Sequence, residues 1–289
     1  GSTLFTEANG DDYRSTNNGE SWEEENSGIN QSVSALAVVG DYLFAGTQGN
    51  GVFLSSDKGA SWHAVNTGLG NTAVNAFAVI GDNLYAGTYL GVFRTSDNGT
   101  TWHKANEGYQ DAVIESFAVK GTSLFAATRD KGVILSSDDG ASWSAVNNGL
   151  KTLSVSSFAV YNDYLFAGTY SGVYFSSNNG TSWNAQNSGL TDTIVVSVAV
   201  FGNTLFAGTV GAGICKFDLS VLGVNNENLE KGTEHFVCYP NPATNTLTID
   251  RTNLHFPENA PVHYTLSTLV GGNVMEFDNS ELKFTVPLE

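Results

Sequence analysis

Five tryptophans punctuate this chain, and each closes a copy of the same eight-residue cassette. The copies read STNNGESW (Ser15 to Trp22), SSDKGASW (Ser55 to Trp62), TSDNGTTW (Thr95 to Trp102), SSDDGASW (Ser136 to Trp143) and SSNNGTSW (Ser176 to Trp183). Successive tryptophans stand 40 or 41 residues apart. A period of that length marks a repeat architecture, in which one small unit cannot bury its apolar face alone and stacks on its neighbours. Residues that recur in every copy are therefore structural. Function belongs where the copies differ.

Aligned on the cassette, full repeats cover 31–69, 70–109, 110–150 and 151–190, with partial copies on either side. Each unit reads as four short strands. The first is an apolar run at 34–39, 75–80, 115–120, 156–161 and 197–201, continuous enough for a strand buried on both faces. Gly, Asn and Asp then supply hairpin turns such as Gly40-Asp41, Gly81-Asp82 and Asn162-Asp163. The second strand, LFAGT or a close variant, places small residues where backbones must pack closely. The third runs into the cassette and the fourth leaves it, ending in Asn-x-Gly-Leu or a variant. Four antiparallel strands per unit of about forty residues describe a β-propeller blade. The expected fold is all-β, with about six blades and seven as the alternative. The first blade should lack its inner strand and the last its outer one.

Within the cassette, Ser/Thr and Asp/Asn oxygens can satisfy the backbone donors of a tight turn, and the glycine supplies a conformation closed to other residues. The tryptophan then anchors the turn to a neighbouring sheet. The cassette resembles the Asp-box (BNR repeat), Ser/Thr-x-Asp-x-Gly-x-Ser/Thr-Trp. On that resemblance Trp22, Asp57, Trp62, Asp97, Trp102, Asp138, Trp143, Asn178 and Trp183 are structural, with Asn17 and Asn178 standing where Asp is usual. Asp-boxes occur in sialidases, sortilin-type receptors, xyloglucanase-like glycoside hydrolases and photosystem II assembly factors. The resemblance implies a propeller and leaves the activity open.

The repeat pattern stops after Phe217, which places the propeller at 1–218 and a polar linker at 219–235. From 236 a third segment begins, with Tyr239-Pro240-Asn241-Pro242-Ala243 ahead of an alternating strand. It is similar to the start of the C-terminal sorting domain of type IX secretion, a small β-sandwich. Residues 264–275 fit that domain's middle hairpin with Gly271-Gly272 as the turn, while its usual closing strand is missing, as though both ends of the chain were clipped. The resemblance implies export by the type IX machinery to the outer surface or medium of a Gram-negative bacterium.

A net charge of −17 argues against nucleic acid and anionic lipid as partners, since both demand a basic face. No apolar run is long enough for a transmembrane helix. Two cysteines, Cys215 and Cys238, make no disulfide framework; unpaired buried thiols are the expectation, with one bridge between them in an oxidising compartment as the alternative.

The same logic of recurrence empties most candidate catalytic sites. Asp57, Asp97 and Asp138 are turn residues, and Asp41, Asp82 and Asp163 recur at one hairpin. A sialidase needs three converging arginines, but Arg14 and Arg94 occupy one repeat position on different blades, Arg129 stands alone in its loop and Arg251 lies in the tail. The acids that do not recur are Glu107, Asp111, Glu115, Asp130 and Asp192; a glycoside hydrolase would need two of them facing one cleft. No metal-ligand spacing appears, and no cofactor is expected.

Copies disagree most between the second and third strands, where they read Gln48-Gly49-Asn50, Tyr89-Leu90, Arg129-Asp130-Lys131, Tyr170-Ser171 and Val210-Gly211-Ala212. These turns should line one mouth of the central channel, and exposed aromatics there can stack on a sugar or anchor a protein. Tyr89, Tyr109, Arg129 and Tyr170 are the candidate ligand-binding residues. The expectation is a monomeric, non-catalytic propeller binding a glycan or an extracellular protein. A glycoside hydrolase built around Glu107 to Glu115, and a structural adhesion or surface-layer spacer, are the alternatives.

Overall fold

The computed structural model describes residues 31–222 and 236–239 throughout, together with 4–8, 11–15, 17, 20–24, 28, 29, 246–250, 262–267, 273–279 and 283–287. The chain divides into two compact units, Gly1–Cys238 and Tyr239–Glu289.

The described residues of unit one form six sheets of a β-propeller. Blade 1 has three strands, Leu4–Ala8, Asp11–Ser15 and Glu23–Glu24; the other five have four. From inner to outer strand, blade 2 is Val33–Val39, Tyr42–Thr47, Val52–Ser55 and His63–Ala64. Blade 3 is Val74–Ile80, Asn83–Thr88, Gly91–Thr95 and His103–Lys104; blade 4 is Ile114–Lys120, Ser123–Thr128, Val133–Ser136 and Ser144–Ala145. Blade 5 is Val155–Tyr161, Tyr164–Thr169, Gly172–Ser176 and Asn184–Ala185. Blade 6 is Val195–Phe201, Thr204–Thr209, Gly213–Asp218 and Val237–Tyr239. Sequence neighbours pair antiparallel in blades 1 to 5 and through the first three strands of blade 6, as in Phe77↔Ala86 and Ala86↔Phe93.

Each core lies between two blades. Phe44 and Val52 of blade 2 pack on Val74, Leu84 and Phe93 of blade 3; Tyr85 and Val92 of blade 3 pack on Ile114, Leu124 and Ile134 of blade 4. The same junction recurs between blades 4 and 5 and between blades 5 and 6. Small residues in the second strand are there because the next blade's inner strand presses on them. A Cβ added at Gly87 would lie 2.5 Å from Ile114 Cγ2.

Hydrogen bonds within the cassette close its turn. Ser55 Oγ donates to Asp57 Oδ1 at 2.8 Å and accepts from the Gly59 amide, while Ser61 donates its amide to Asp57 Oδ1 at 2.9 Å and its hydroxyl to Oδ2. These bonds hold Lys58 and Gly59 at positive φ. The tryptophan then reaches back to the preceding blade: Nε1 of Trp102, Trp143 and Trp183 donates to the carbonyls of Val65, Ala105 and Val146 at 2.7–2.8 Å.

Blade 6 departs from expectation. It was expected to lack an outer strand, yet Val237–Tyr239 supplies one, and unit one continues to Cys238. Phe236 takes the tryptophan's place. Its amide donates to Ser188 O at 2.7 Å, just as those of Trp102 and Trp183 donate to Thr67 and Asn148 at 2.8 Å. Phe217 sits where other blades carry the first cassette hydroxyl, and its ring packs 5.4 Å from that of Phe236. Cys215, fully buried in this blade, is disulfide-bonded, so the bridged alternative holds in place of the expected unpaired thiols. The sequence holds one other cysteine, Cys238.

Unit two contributes four described strands in two antiparallel pairs, Thr246–Asp250 with Lys283–Pro287 and Val262–Ser267 with Asn273–Asn279. The second pair carries the expected hairpin over 264–275; its glycine turn and the Pro-Asn-Pro motif lie outside the described residues, as does most of the linker.

Candidate functional site

All five inner strands carry the same irregularity near their start. The register slips between Val33 and Ala35, Val74 and Ala76, Ile114 and Ser116, Val155 and Ser157, and Val195 and Ser197. A bulge leaves one residue out of the ladder and re-aims its side chain. The five bulge residues are Ser34, Asn75, Glu115, Ser156 and Val196.

Three of them use the freed side chain to tie their blade to the next. Ser34 Oγ donates to Val74 O, Asn75 Nδ2 to Ile114 O at 2.8 Å, and Ser156 Oγ to Val195 O at 2.7 Å. Glu115 carries a carboxylate in place of the hydroxyl or amide that donates this bond elsewhere. It accepts instead from Arg129 Nε of its own blade at 2.7 Å. Arg129 in turn lies over Tyr89 of blade 3, with Cζ 5.3 Å from the ring centroid. The carboxylate beside it raises the guanidinium pKa further, so the charge is fixed.

Arg129 and Tyr89 both stand in second-to-third-strand turns. In blades 2, 4, 5 and 6 the turn is tied to the entry of its own blade's inner strand: the amides of Gln48, Arg129, Tyr170 and Val210 donate to Ser32 O, Val113 O, Ser154 O and Ile194 O at 3.0–3.4 Å. The turns and inner-strand entries thus share one face of the propeller. Tyr89 is partly open to solvent, and more than half of the Arg129 side chain is accessible.

The four residues expected at the mouth are therefore placed unevenly. Tyr89 and Arg129 are in contact. Tyr170 occupies the equivalent turn of blade 5 and is exposed, without joining them in any ring contact. Tyr109 is half-buried against the core between blades 3 and 4. Glu115 is the partner that reasoning from loops missed. Its signal was present: among bulge residues reading Ser, Asn, Glu, Ser and Val, it alone is charged.

Of the acids considered for hydrolysis, Glu107, Glu115, Asp130 and Asp192 can each be placed among the described residues. Glu107 lines a hollow of about 270 Å³ with Lys104, Asn106, Gln110, Gly140 and Ala141, and it is the hollow's one carboxylate. Glu115 is engaged by Arg129, and Asp130 lies 3.2 Å from Lys131. Asp192 accepts from the amides of Ile194 and Gly211, which lower its pKa. Among the described residues no group of three His, Cys, Asp or Glu side chains could hold a metal ion, and no helix is long and apolar enough to cross a membrane.

Comparison with known proteins agrees with this architecture. The DUF6242 beta propeller domain family matches residues 71–192, less than half of the chain. No curated protein matches. Among solved structures, an ancestral GH74 enzyme aligns with a TM-score of 0.60 at 17% identity, over 89% of this chain and 39% of its own. YCF48 bound to D1 peptide aligns with a TM-score of 0.59 at 14% identity, over 73% of this chain and 72% of its own. The GH74 enzyme of Niastella koreensis aligns with a TM-score of 0.55 at 18% identity, over 74% of this chain and 35% of its own. The chain thus spans well under half the length of both GH74 enzymes. At such identities the likeness establishes a propeller and nothing of its chemistry.

Proposed function

We propose that this protein is a non-catalytic binding propeller, and that its ligand, a glycan or an extracellular protein, docks on the face carrying Tyr89, Arg129 and Glu115. The observation that carries this reading is the break in the repeat at Glu115. A bridge between blades is given up there, and the acid instead orients a guanidinium across an aromatic ring. An aromatic face and a partly exposed, pre-oriented arginine are the residue types that anchor interfaces. YCF48, a propeller of similar fold, is described bound to a peptide, which supports a protein ligand.

The Asp-box character of the cassette and the sorting-domain resemblance of residues 236–289 support export by the type IX machinery and a place on or outside the cell surface. The hydrolase alternative gains a shared fold from the GH74 enzymes. Against it, Glu115 is paired with Arg129, and Glu107 is the one carboxylate of the hollow it lines.

Binding to a broad panel of glycans and extracellular proteins, with Tyr89→Ala and Arg129→Ala in parallel, tests the reading. A ligand lost in both variants supports it. Hydrolysis of a panel glycan that survives both variants would replace it with the enzyme reading.

A further inference from the structure

Two leucines are exposed on the face of the turns at positions where a blade does not need them. Leu153, 46% exposed, enters the inner strand of blade 5. Where the same position meets solvent in other blades it is polar: Gln31, Thr72 and Thr193. Leu90, 45% exposed, stands in the two-residue turn of blade 3 where blade 5 carries Ser171. A blade thus folds with a polar residue at either place, and the leucines answer to something outside it.

Both stand in a row with residues already placed. Arg129 lies over the ring of Tyr89, and the turn that carries it continues to Gly132, whose amide donates to Leu153 O at 2.8 Å. The next residue, Ser154, accepts from the amide of Tyr170. Tyr89, Leu90, Arg129, Leu153 and Tyr170 therefore follow one another across blades 3, 4 and 5. Of these only Arg129 is charged, and Glu115 meets that charge; beside it Asp130 and Lys131 answer each other. A chain of net charge −17 presents here a strip that is apolar and locally neutral.

Exposed apolar side chains grouped in this way mark an interaction surface. Leucine offers a sugar neither a flat ring nor a hydrogen bond, but beside tyrosine and arginine anchors it excludes water from a protein contact. We infer that the ligand of this face is a linear polypeptide segment, carrying at least two large apolar side chains flanked by Lys or Arg, laid along the strip from blade 3 to blade 5. The inference rests on the binding reading above and narrows its ligand to protein. The segment's apolar side chains cover Leu90 and Leu153 next to the two tyrosines. Arg129, held through Nε by Glu115, offers a terminal nitrogen to a main-chain carbonyl of the segment. Basic flanks match the charge of the whole chain, which repels an acidic segment and speeds the approach of a basic one.

A phage-displayed library of random linear peptides of about twelve residues, roughly 40 Å when extended, is the probe. It is panned on the intact protein, and the most enriched peptide is synthesised and titrated by fluorescence anisotropy. Enriched peptides should share two or more large apolar residues and Lys or Arg, with Asp and Glu depleted, and binding should weaken as salt is added. The double variant Leu90→Ser, Leu153→Thr should bind at least tenfold more weakly, and so should Arg129→Gln. Each substitution copies a residue that another blade carries at that position (Ser171, Thr72, Gln48), so melting curves should stay unchanged. Val160→Thr, at an exposed position near the other end of an inner strand, should bind as the parent does. No enriched peptide, an acidic consensus, or equal binding by the double leucine variant overturns the inference. A glycan that needs Tyr89 and Arg129 but ignores both leucines also overturns it, while leaving the binding propeller intact. Peptides that bind regardless of Tyr89, Arg129 and the leucines would remove both.

Discussion

Arg129 spans two blades: its guanidinium carbon lies 5.3 Å above the ring of Tyr89 on blade 3, while its Nε donates to Glu115 on blade 4. All three groups are at least partly open to water, so the contacts contribute little to folding. Surface ion pairs and exposed cation–π contacts are each worth about 1 kcal/mol or less. Arg129→Ala should therefore lower stability by no more than about that amount in urea denaturation. Arg129→Lys keeps the charge but loses the planar donor group, and should weaken ligand capture nearly as much as alanine does. Unchanged melting together with lost binding is the expected signature; a large loss of stability would assign the group a structural role.

The cassettes set an acid limit on the fold. Hydrogen bonds from Ser61 and Ser55 hold Asp57 down to about 2, and bonds from Thr101 and Thr95 do the same for Asp97. Asp138 is shifted in the same direction by Ser142 and Ser136. A carboxylate whose folded pKa lies below its unfolded value adds stability above the unfolded pKa and loses it as pH falls through the folded one. These contributions are full above about pH 4 and fade toward about pH 2. Asn178 makes equivalent bonds to Ser182 with its amide, and it does not titrate. Changing Asp57, Asp97 and Asp138 together to Asn should thus flatten the dependence of the urea midpoint between pH 4 and pH 2. An equally steep loss in the triple variant would count against the cassettes as its origin.

Five identical-looking tryptophans should not weigh equally. Trp102 is 3% exposed, packs in the core between blades 2 and 3 and donates to Val65 O; Trp22 is 41% exposed. Trp102→Ala should cost about 3–5 kcal/mol and Trp22→Ala about 1 kcal/mol or less, as read by chemical denaturation.

The propeller was legible because its determinants are local and repeated: the cassette, the small residues of the second strand and the apolar inner strand each fix one step of the blade. What depends on a single substitution or a long-range return was not legible. Glu115 looks like any loop acid until the bulge shows that its position normally donates a bond. Tyr109 reads as an exposed anchor, but the packing of blades 3 and 4 claims it. The outer strand of blade 6 was hidden for a plainer reason. Its cassette is absent, its tryptophan is a phenylalanine, and a polar segment separates it from the third strand.

That last substitution can be tested directly. Phe236 is 2% exposed, and its amide makes the bond to Ser188 O that tryptophan amides make elsewhere. The larger neighbour, Phe217 in place of a small hydroxyl residue, fills part of the space an indole would take, so the pair Phe217 and Phe236 replaces the cassette's hydroxyl and tryptophan. If Phe236 is the anchor of blade 6, Phe236→Ala opens a cavity in the core between blades 5 and 6 and should cost about 3–5 kcal/mol. Hydrogen exchange should then rise in Val195–Phe201 and Thr204–Thr209 while blade 3 stays protected. Val237→Ala, at an exposed position next to it, should be near neutral. Equal effects at both positions, or a loss confined to unit two, would return Phe236 to the tail and leave blade 6 with three strands.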